Sequence, residues 1–313
     1  MGSKLAFAII ISVLVLMLIC FLFMNSVHSI TMQTSNKSGA SLQYGEPTEL
    51  SRLKDPRINE SSGIAASIRY RDAFWTHNDS GDSARIFLID KEGDTLSVVD
   101  IKDVTAIDWE DIASYRIGDQ GYVLIADVGD NARHRESYEL YIIREPLVPI
   151  QNEGEEAPGV EIEADLQIRF HYEDGPHDCE GVAVDPTEST IYLVSKDVDE
   201  CRVYSMPIPS KKSEEPNIAK PIALLKVSYA NAMDISPDGR RAVVLTYDDA
   251  YEFSREEEET WAQAFSREPR LINAPVRIQG ESICYGTDGE TLYLTSETAH
   301  EPLWEIPLIL EAN

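Results

Sequence analysis

The feature that most restricts how this 313-residue chain can fold is an internal repeat. A polar step leading into a small-apolar strand start occurs five times, as NESSGIA from Asn59, AIDWEDIA from Ala106, HDCEGVA from His177, ANAMDIS from Ala230 and QGESICY from Gln279. Aligned on Ser62, Glu110, Glu180, Met233 and Glu281, the copies lie 48, 70, 53 and 48 residues apart, the length of a four-stranded sheet with its turns. Each copy opens a hairpin: VAVD, PTES and TIYLVSKD after Glu180; DIS, PDG and RRAVVLTYD after Met233; ICYG, TDGE and TLYLTSE after Glu281. Turn residues between runs of β-formers specify such hairpins.

An acid closes the second strand of every hairpin: Asp79, Asp127, Asp197, Asp248 and Glu297. Two residues before each aligned position stands another polar residue: Glu60, Asp108, Asp178, Asn231 and Gln279. A third strand follows each hairpin (ARIFLID, YELYIIRE, CRVYSMPI, AYEFSR, PLWEIPLI), and a fourth follows in four of the five. The last copy lacks its fourth strand, and the orphan segment LQYGEPTELSRL from Leu42 would supply it, closing a ring and removing exposed sheet edges. The expected fold is therefore all-β, a five-bladed β-propeller over 42–313 closed by an N-terminal strand. Six blades is the alternative, because the 70-residue interval contains the acidic insert QNEGEEAPGVEIEAD.

In such a ring the starts of first strands and ends of second strands share one face. The polar columns would then crown one mouth of the axis, Glu110, Glu180 and Glu281 innermost. Two carboxylates about 4 Å apart repel by roughly 4 kcal/mol at an effective dielectric near 20, so the crown needs raised pKa values or a bound cation. Oxygen ligands without clustered His or Cys point to Ca²⁺ rather than zinc. The expected ligands are Ser62, Glu110, Glu180, Asp234 and Glu281, Asp234 standing in where Met233 offers no oxygen. Asp79 or Asp127 would activate water, with His77 and His177 as proton carriers. Lys196, Arg133, Arg135, Tyr247 and Glu297 would contact substrate.

The Ser/Glu positions resemble the axial ring of the calcium-activated nucleotidase (apyrase) family, five-bladed propellers with a central calcium. DCEGVAVDPTESTIYLVSKD and THNDSGDSARIFLID are similar to phytase-like, esterase-like and SdiA-regulated bacterial propellers. These resemblances imply phosphoester or ester hydrolysis. The alternative is a non-catalytic binding propeller presenting its metal-stiffened acidic mouth to a basic partner or a carbohydrate.

The formal charge of −28, with every acid at or after Glu46, disfavours nucleic acid as a partner. Residues 5–24 form an unbroken apolar run behind Lys4, long enough to span a bilayer as a signal anchor, and 25–41 read as a polar linker. The body is thus expected outside the cytoplasm, held by this membrane helix or secreted after cleavage. In an oxidising compartment Cys179 and Cys201 are a candidate disulfide.

Overall fold

The computed structural model describes residues 42–310 apart from Glu153 and Ile278. The apolar run at 5–24 and the linker at 25–41 lie outside the described residues. Among those described, no helix is long and apolar enough to cross a membrane.

The strands are β1 (Leu42–Tyr44), β2 (Thr48–Arg52), β3 (Ser61–Ala66), β4 (Ala73–Asn78), β5 (Arg85–Asp90) and β6 (Thr95–Ile101). They continue as β7 (Trp109–Ile117), β8 (Gln120–Asp127), β9 (Tyr138–Arg144), β10 (Gly159–Ile162) and β11 (Leu166–Tyr172). Next come β12 (Cys179–Asp185), β13 (Thr190–Ser195), β14 (Cys201–Pro207) and β15 (Asn217–Leu225). After β16 (Ala230–Ile235), β17 (Arg241–Thr246) and β18 (Ala250–Ser254), one short helix, α1 (Trp261–Phe265), precedes β19 (Arg270–Ile272). The last strands are β20 (Ser282–Tyr285), β21 (Leu292–Thr295), β22 (Pro302–Ile306) and β23 (Leu308–Leu310), the last pairing with β1.

Antiparallel pairing groups these strands in the order of the repeat: β3-β4-β5-β6, β7-β8-β9-β11, β12-β13-β14-β15, β16-β17-β18-β19 and β20-β21-β22-β2. The N-terminal strand β2 pairs with β22, Thr48 opposite Glu305, as the orphan segment requires. The acidic insert yields a single strand, β10, which adds in parallel to the outer edge of β6. The second and third groups join at their outer strands through a parallel β11–β15 pairing.

Five apolar clusters fill the spaces between successive groups. Trp75, Trp109 and Ile125 lie between the first and second; Leu140, Phe170 and Val182 between the second and third; Val194, Met233 and Trp261 between the third and fourth. Val243, Ile283 and Leu294 fill the next space, and Phe74, Phe87 and Tyr293 join the fifth group to the first. β3, β12 and β20 are buried along their whole length, because both faces meet a neighbouring sheet, while β7 emerges at its end with Arg116 and Ile117 exposed. The fold is all-β and propeller-like, its innermost strands β3, β7, β12, β16 and β20 packing on one another in sequence order and β20 on β3.

Close approach of those strands selects small residues. A Cβ on Gly181 would stand 2.8 Å from the Ala232 carbonyl carbon and the Met233 nitrogen, both backbone atoms of the next inner strand.

Cys179 and Cys201 are not bridged; Cys179, Cys201 and Cys284 are free and buried. Cys179 begins β12 and Cys201 begins β14, with β13 between them. Two strand spacings of roughly 4.8 Å exceed the reach of a disulfide, about 7 Å between Cα atoms.

Gly181→Val should therefore destabilise the fold by about 3 kcal/mol or more in chemical denaturation, through overpacking against backbone that cannot yield. Gly159→Ala, at a position with nothing within 4 Å, should change stability by less than about 0.5 kcal/mol.

Candidate functional site: an acidic mouth with a lysine at its centre

The inner ring is made by one local device repeated around the axis. In the first four groups the pairing of first and second strand slips by one residue, between Ser61 and Gly63, Trp109 and Asp111, Cys179 and Gly181, and Ala230 and Ala232. The skipped residues are Ser62, Glu110, Glu180 and Asn231, and a bulge of this kind re-aims the side chain it frees. Glu281 takes the matching place directly before β20. All five are at most 4% exposed.

Met233 is replaced in this ring by Asn231, two residues earlier, because the register follows the bulge rather than the apolar wording after it. Both amide atoms of Asn231 are buried without a hydrogen-bond partner among the described residues. Asp234 does not join the ring. It sits further along β16, where its carboxylate accepts the N–H groups of Ile235 and Tyr285, each at 2.8 Å, and burial pushes its pKa up to about 7.

The second ring is also re-phased. Asn78, Asp127, Ser195 and Thr246 close the ladder opposite Ser61, Trp109, Cys179 and Ala230. The next residues along are Asp79, Val128, Lys196, Tyr247 and Glu297, of which Val128 is buried in the apolar space between the second and third groups. Four of them anchor the mouth by donating a backbone N–H to the carbonyl two residues before the inner ring: Asp79 to Glu60 (2.9 Å), Val128 to Asp108 (3.1 Å), Lys196 to Asp178 (3.0 Å) and Glu297 to Gln279 (3.1 Å). The evenly spaced acids of the sequence thus fall at different depths.

Asp127 is one place too early for the mouth. Its fully buried carboxylate accepts the N–H groups of Ile107 (2.9 Å) and Asp108 (3.3 Å) and pairs with Arg135 at 2.7 Å, which fixes the loop before β7. Arg135 also donates to the Gly129 carbonyl, and Arg133 pairs with Asp197 at 2.6 Å, so both arginines hold protein acids. His77 is wholly buried between the first two groups, its Nδ1 2.8 Å from the Asn78 carbonyl oxygen and its ring edge-on to Trp109; burial lowers its pKa to about 4. His177 packs against Tyr172 and Tyr204 and meets Asp174 at 3.1 Å, in an aromatic cluster around β11 and β14.

What does converge is Asp79, Asp108 and Glu110, each offering a carboxylate oxygen within 4.8 Å of the others. Asp108 belongs to the flanking polar column, and Gly129 backs it: a Cβ there would collide with the Asp108 and Glu110 carboxylates. Beside this cluster, Lys196 Nζ lies 3.1 Å from Glu180 and 3.9 Å from Glu281, and 5.2 Å over the Tyr247 ring. Burial opposes the ammonium charge, but Glu180 and Glu281 outweigh it and raise the Lys196 pKa.

The acids cannot all ionise. Burial, with Glu180, Asp79 and Asp108 nearby, raises Glu110 well above the usual carboxylate range. Burial likewise brings Glu180 to about 7, Glu281 to about 8, Glu297 to about 7 and Asp108 to about 6. Lys196 opposes the rise at Glu180, Glu281 and Glu297, while Asp79 adds to it at Asp108. Arg277, unremarkable in its sequence setting, is a second cation at this end. Its guanidinium donates to the Pro275 (2.8 Å) and Thr246 (3.2 Å) carbonyls, and burial lowers its pKa to about 10.

The three-carboxylate set suits a hard divalent cation such as Ca²⁺ or Mg²⁺, which prefer oxygen donors. The centre of the mouth is less suited, since Lys196 already supplies the positive charge between Glu180 and Glu281.

No protein-family model and no curated protein sequence matches the chain. Among solved structures it is similar to a gluconolactonase, XC5397 of Xanthomonas campestris, at 11% identity and TM-score 0.47, covering 89% of this chain and 99% of that one. The WD40 repeats of RRP9 align at 10% identity and TM-score 0.47, over 86% of this chain and 100% of that one. A putative 6-phosphogluconolactonase of Bacteroides uniformis aligns at 16% identity and TM-score 0.36, over 78% and 66%.

An acid whose pKa is raised by folding holds its proton more tightly in the folded chain. The stability it contributes is therefore complete below the unfolded pKa and is lost as pH rises through the folded one. With Asp108 near 6, Glu180 and Glu297 near 7 and Glu281 near 8, the melting temperature in chelator should fall between pH 5 and pH 8.5. We expect a drop of at least about 5 °C, a few kcal/mol at this chain length, and a shallower slope in Glu281→Gln.

Proposed function

We infer that residues 43–309 form a five-bladed β-propeller whose acidic mouth binds a divalent cation and hydrolyses small esters or phosphate esters. The five intersheet clusters and the β2–β22 pairing support the blade count and the closure. The observation that carries the functional reading is the meeting of Asp79, Asp108 and Glu110 beside acids of raised pKa and a lysine. Strongly perturbed titratable groups gathered in one cleft mark reactive sites more often than structural ones.

Asp79, Asp108 and Glu110 would hold the cation, which when bound polarises an acyl or phosphoryl oxygen. Lys196, and Arg277 deeper in the wall, orient an anionic substrate. Glu297, half-buried with a pKa near 7 and held by Gln279 Nε2 at 2.7 Å, takes the proton of the attacking water and returns it to the leaving group. Asp127, engaged with Arg135 and its loop, has no part in this scheme. The apolar run at 5–24 and the linker support a location outside the cytoplasm, at the membrane or released from it.

A second reading is favoured by the exposure of Ile107, Val198, Tyr229, Tyr247 and Val276 on loops of this same end. Apolar rims around a charged centre also dock partners, and here the occupant would be basic and no turnover would follow.

Both readings are tested with the purified chain and a panel including p-nitrophenyl acetate and p-nitrophenyl phosphate, with Ca²⁺ or Mg²⁺ and with chelator. Catalysis predicts cation-dependent turnover that Glu110→Gln lowers by about 100-fold, together with loss of the cation-induced rise in melting temperature. Glu297→Gln should lower kcat while keeping that rise. A retained thermal response with no turnover leaves the docking reading; no thermal response to either cation ends the metal reading.

A further inference from the structure

The end of the sheets opposite the acidic mouth holds a pocket to which all five groups contribute. Its walls include Ala66 and Ile68 of the first, Ser114 and Arg116 of the second, Val184 of the third, Ile235 of the fourth and Tyr285 of the fifth. The volume is about 90 Å³, less than the 150 Å³ or so of a cavity that encloses benzene, so a single ring or branched chain end would fill it with the remainder protruding.

The floor is mostly apolar. Its one acid, Asp234, accepts one backbone N–H on each oxygen, from Ile235 and Tyr285. The rim has a different character. In a chain of net charge −28, the loops at this end expose Arg69, Arg116 and Arg240, none with a side-chain partner among the described residues. Several acids of the same end are taken up by their own turns: Asp238 by Ser236 and Arg240 N–H, and Asp288 by Thr291 and the Glu290 N–H. Asp185 is bound to Thr187 and Arg255. Asp119 and Glu290 also stand exposed without a side-chain partner on these loops, but of the unpaired charges only Arg116 lines the apolar recess, and a cation placed there selects a ligand with an apolar body and an anionic head.

We propose that this pocket is a second binding site, distinct from the acidic mouth, for a small amphiphilic anion: one ring or short branched chain seated between Ala66, Val184 and Ile235, and a carboxylate or phosphate group on Arg116. The site is independent of the reading given for the acidic mouth, and its loss would leave that reading untouched.

Phenyl phosphate and benzoate serve as probes, followed by ligand-observed NMR and calorimetry on the full chain, with benzylamine and benzyl alcohol as controls. The expected result is saturable binding of the two anions, at least tenfold weaker binding of the uncharged alcohol and none of the amine. Arg116→Glu, at an exposed and unpaired position, should weaken anion binding tenfold or more without changing the melting temperature. Thr287→Trp, on the exposed rim, should block it by bulk. Absence of saturable binding at millimolar probe, or binding that Arg116→Glu and Thr287→Trp both leave unchanged, overturns the proposal. Equal binding of phenyl phosphate and benzyl alcohol would remove the role given to Arg116.

Discussion

Repulsion among carboxylates at one end of the axis is the constraint that the rest of this structure accommodates. Glu110, Glu180 and Glu281 are nearly inaccessible to water, and Asp79, Asp108 and Glu297 crowd around them. At such spacings full ionisation would cost several kcal/mol per pair. Two remedies are built in: Lys196 stands between Glu180 and Glu281, and the raised pKa values keep protons on part of the ring at neutral pH. At Asp79, Asp108 and Glu110 the repulsion is met by raised pKa values, with Lys196 easing it at Asp79 and Glu110, and an added cation would take the place of those protons.

The same constraint explains local features that look unrelated. A slip at the start of each of the first four inner strands turns Ser62, Glu110, Glu180 and Asn231 out of the ladder and toward the axis. Gly129 leaves space for two carboxylates, and Gly181 lets neighbouring inner strands touch. Asp127 and Arg135 neutralise each other while pinning the loop that carries Asp108. Packing between sheets supplies the rigidity, with Trp75, Trp109 and Trp261 buried in those spaces.

The grouping of strands, the return of β2 to β22 and the gathering of acids at one end were legible in the sequence, because they follow from repeat length and turn chemistry. The phase of each ring was not. A bulge adds one residue that no composition rule marks, so Met233 stood in the alignment where Asn231 stands in space, and Asp127 was aligned with Asp79 although Asn78 is its true counterpart. The buried His77 and the peripheral His177 show the same limit: both precede polar residues in repeat copies, yet one faces an intersheet core and the other an aromatic cluster. The partner of the Glu180 and Glu281 charges was visible only as a lysine beside Asp197. Its position on the axis depends on a hairpin one residue shorter than the first and two shorter than the second. The −28 charge likewise gave no hint of the arginine-rimmed pocket at the opposite end.

Proton release on cation binding tests the central claim most directly. Calorimetric titration of Ca²⁺ into the chain near pH 6.5, in two buffers of different ionisation enthalpy, counts the protons displaced. The account predicts a buffer-dependent enthalpy corresponding to release of at least about one proton per bound ion, reduced in Glu110→Gln. Binding with a buffer-independent enthalpy would mean that the ring is already ionised, and the description of how its charge is held would be wrong.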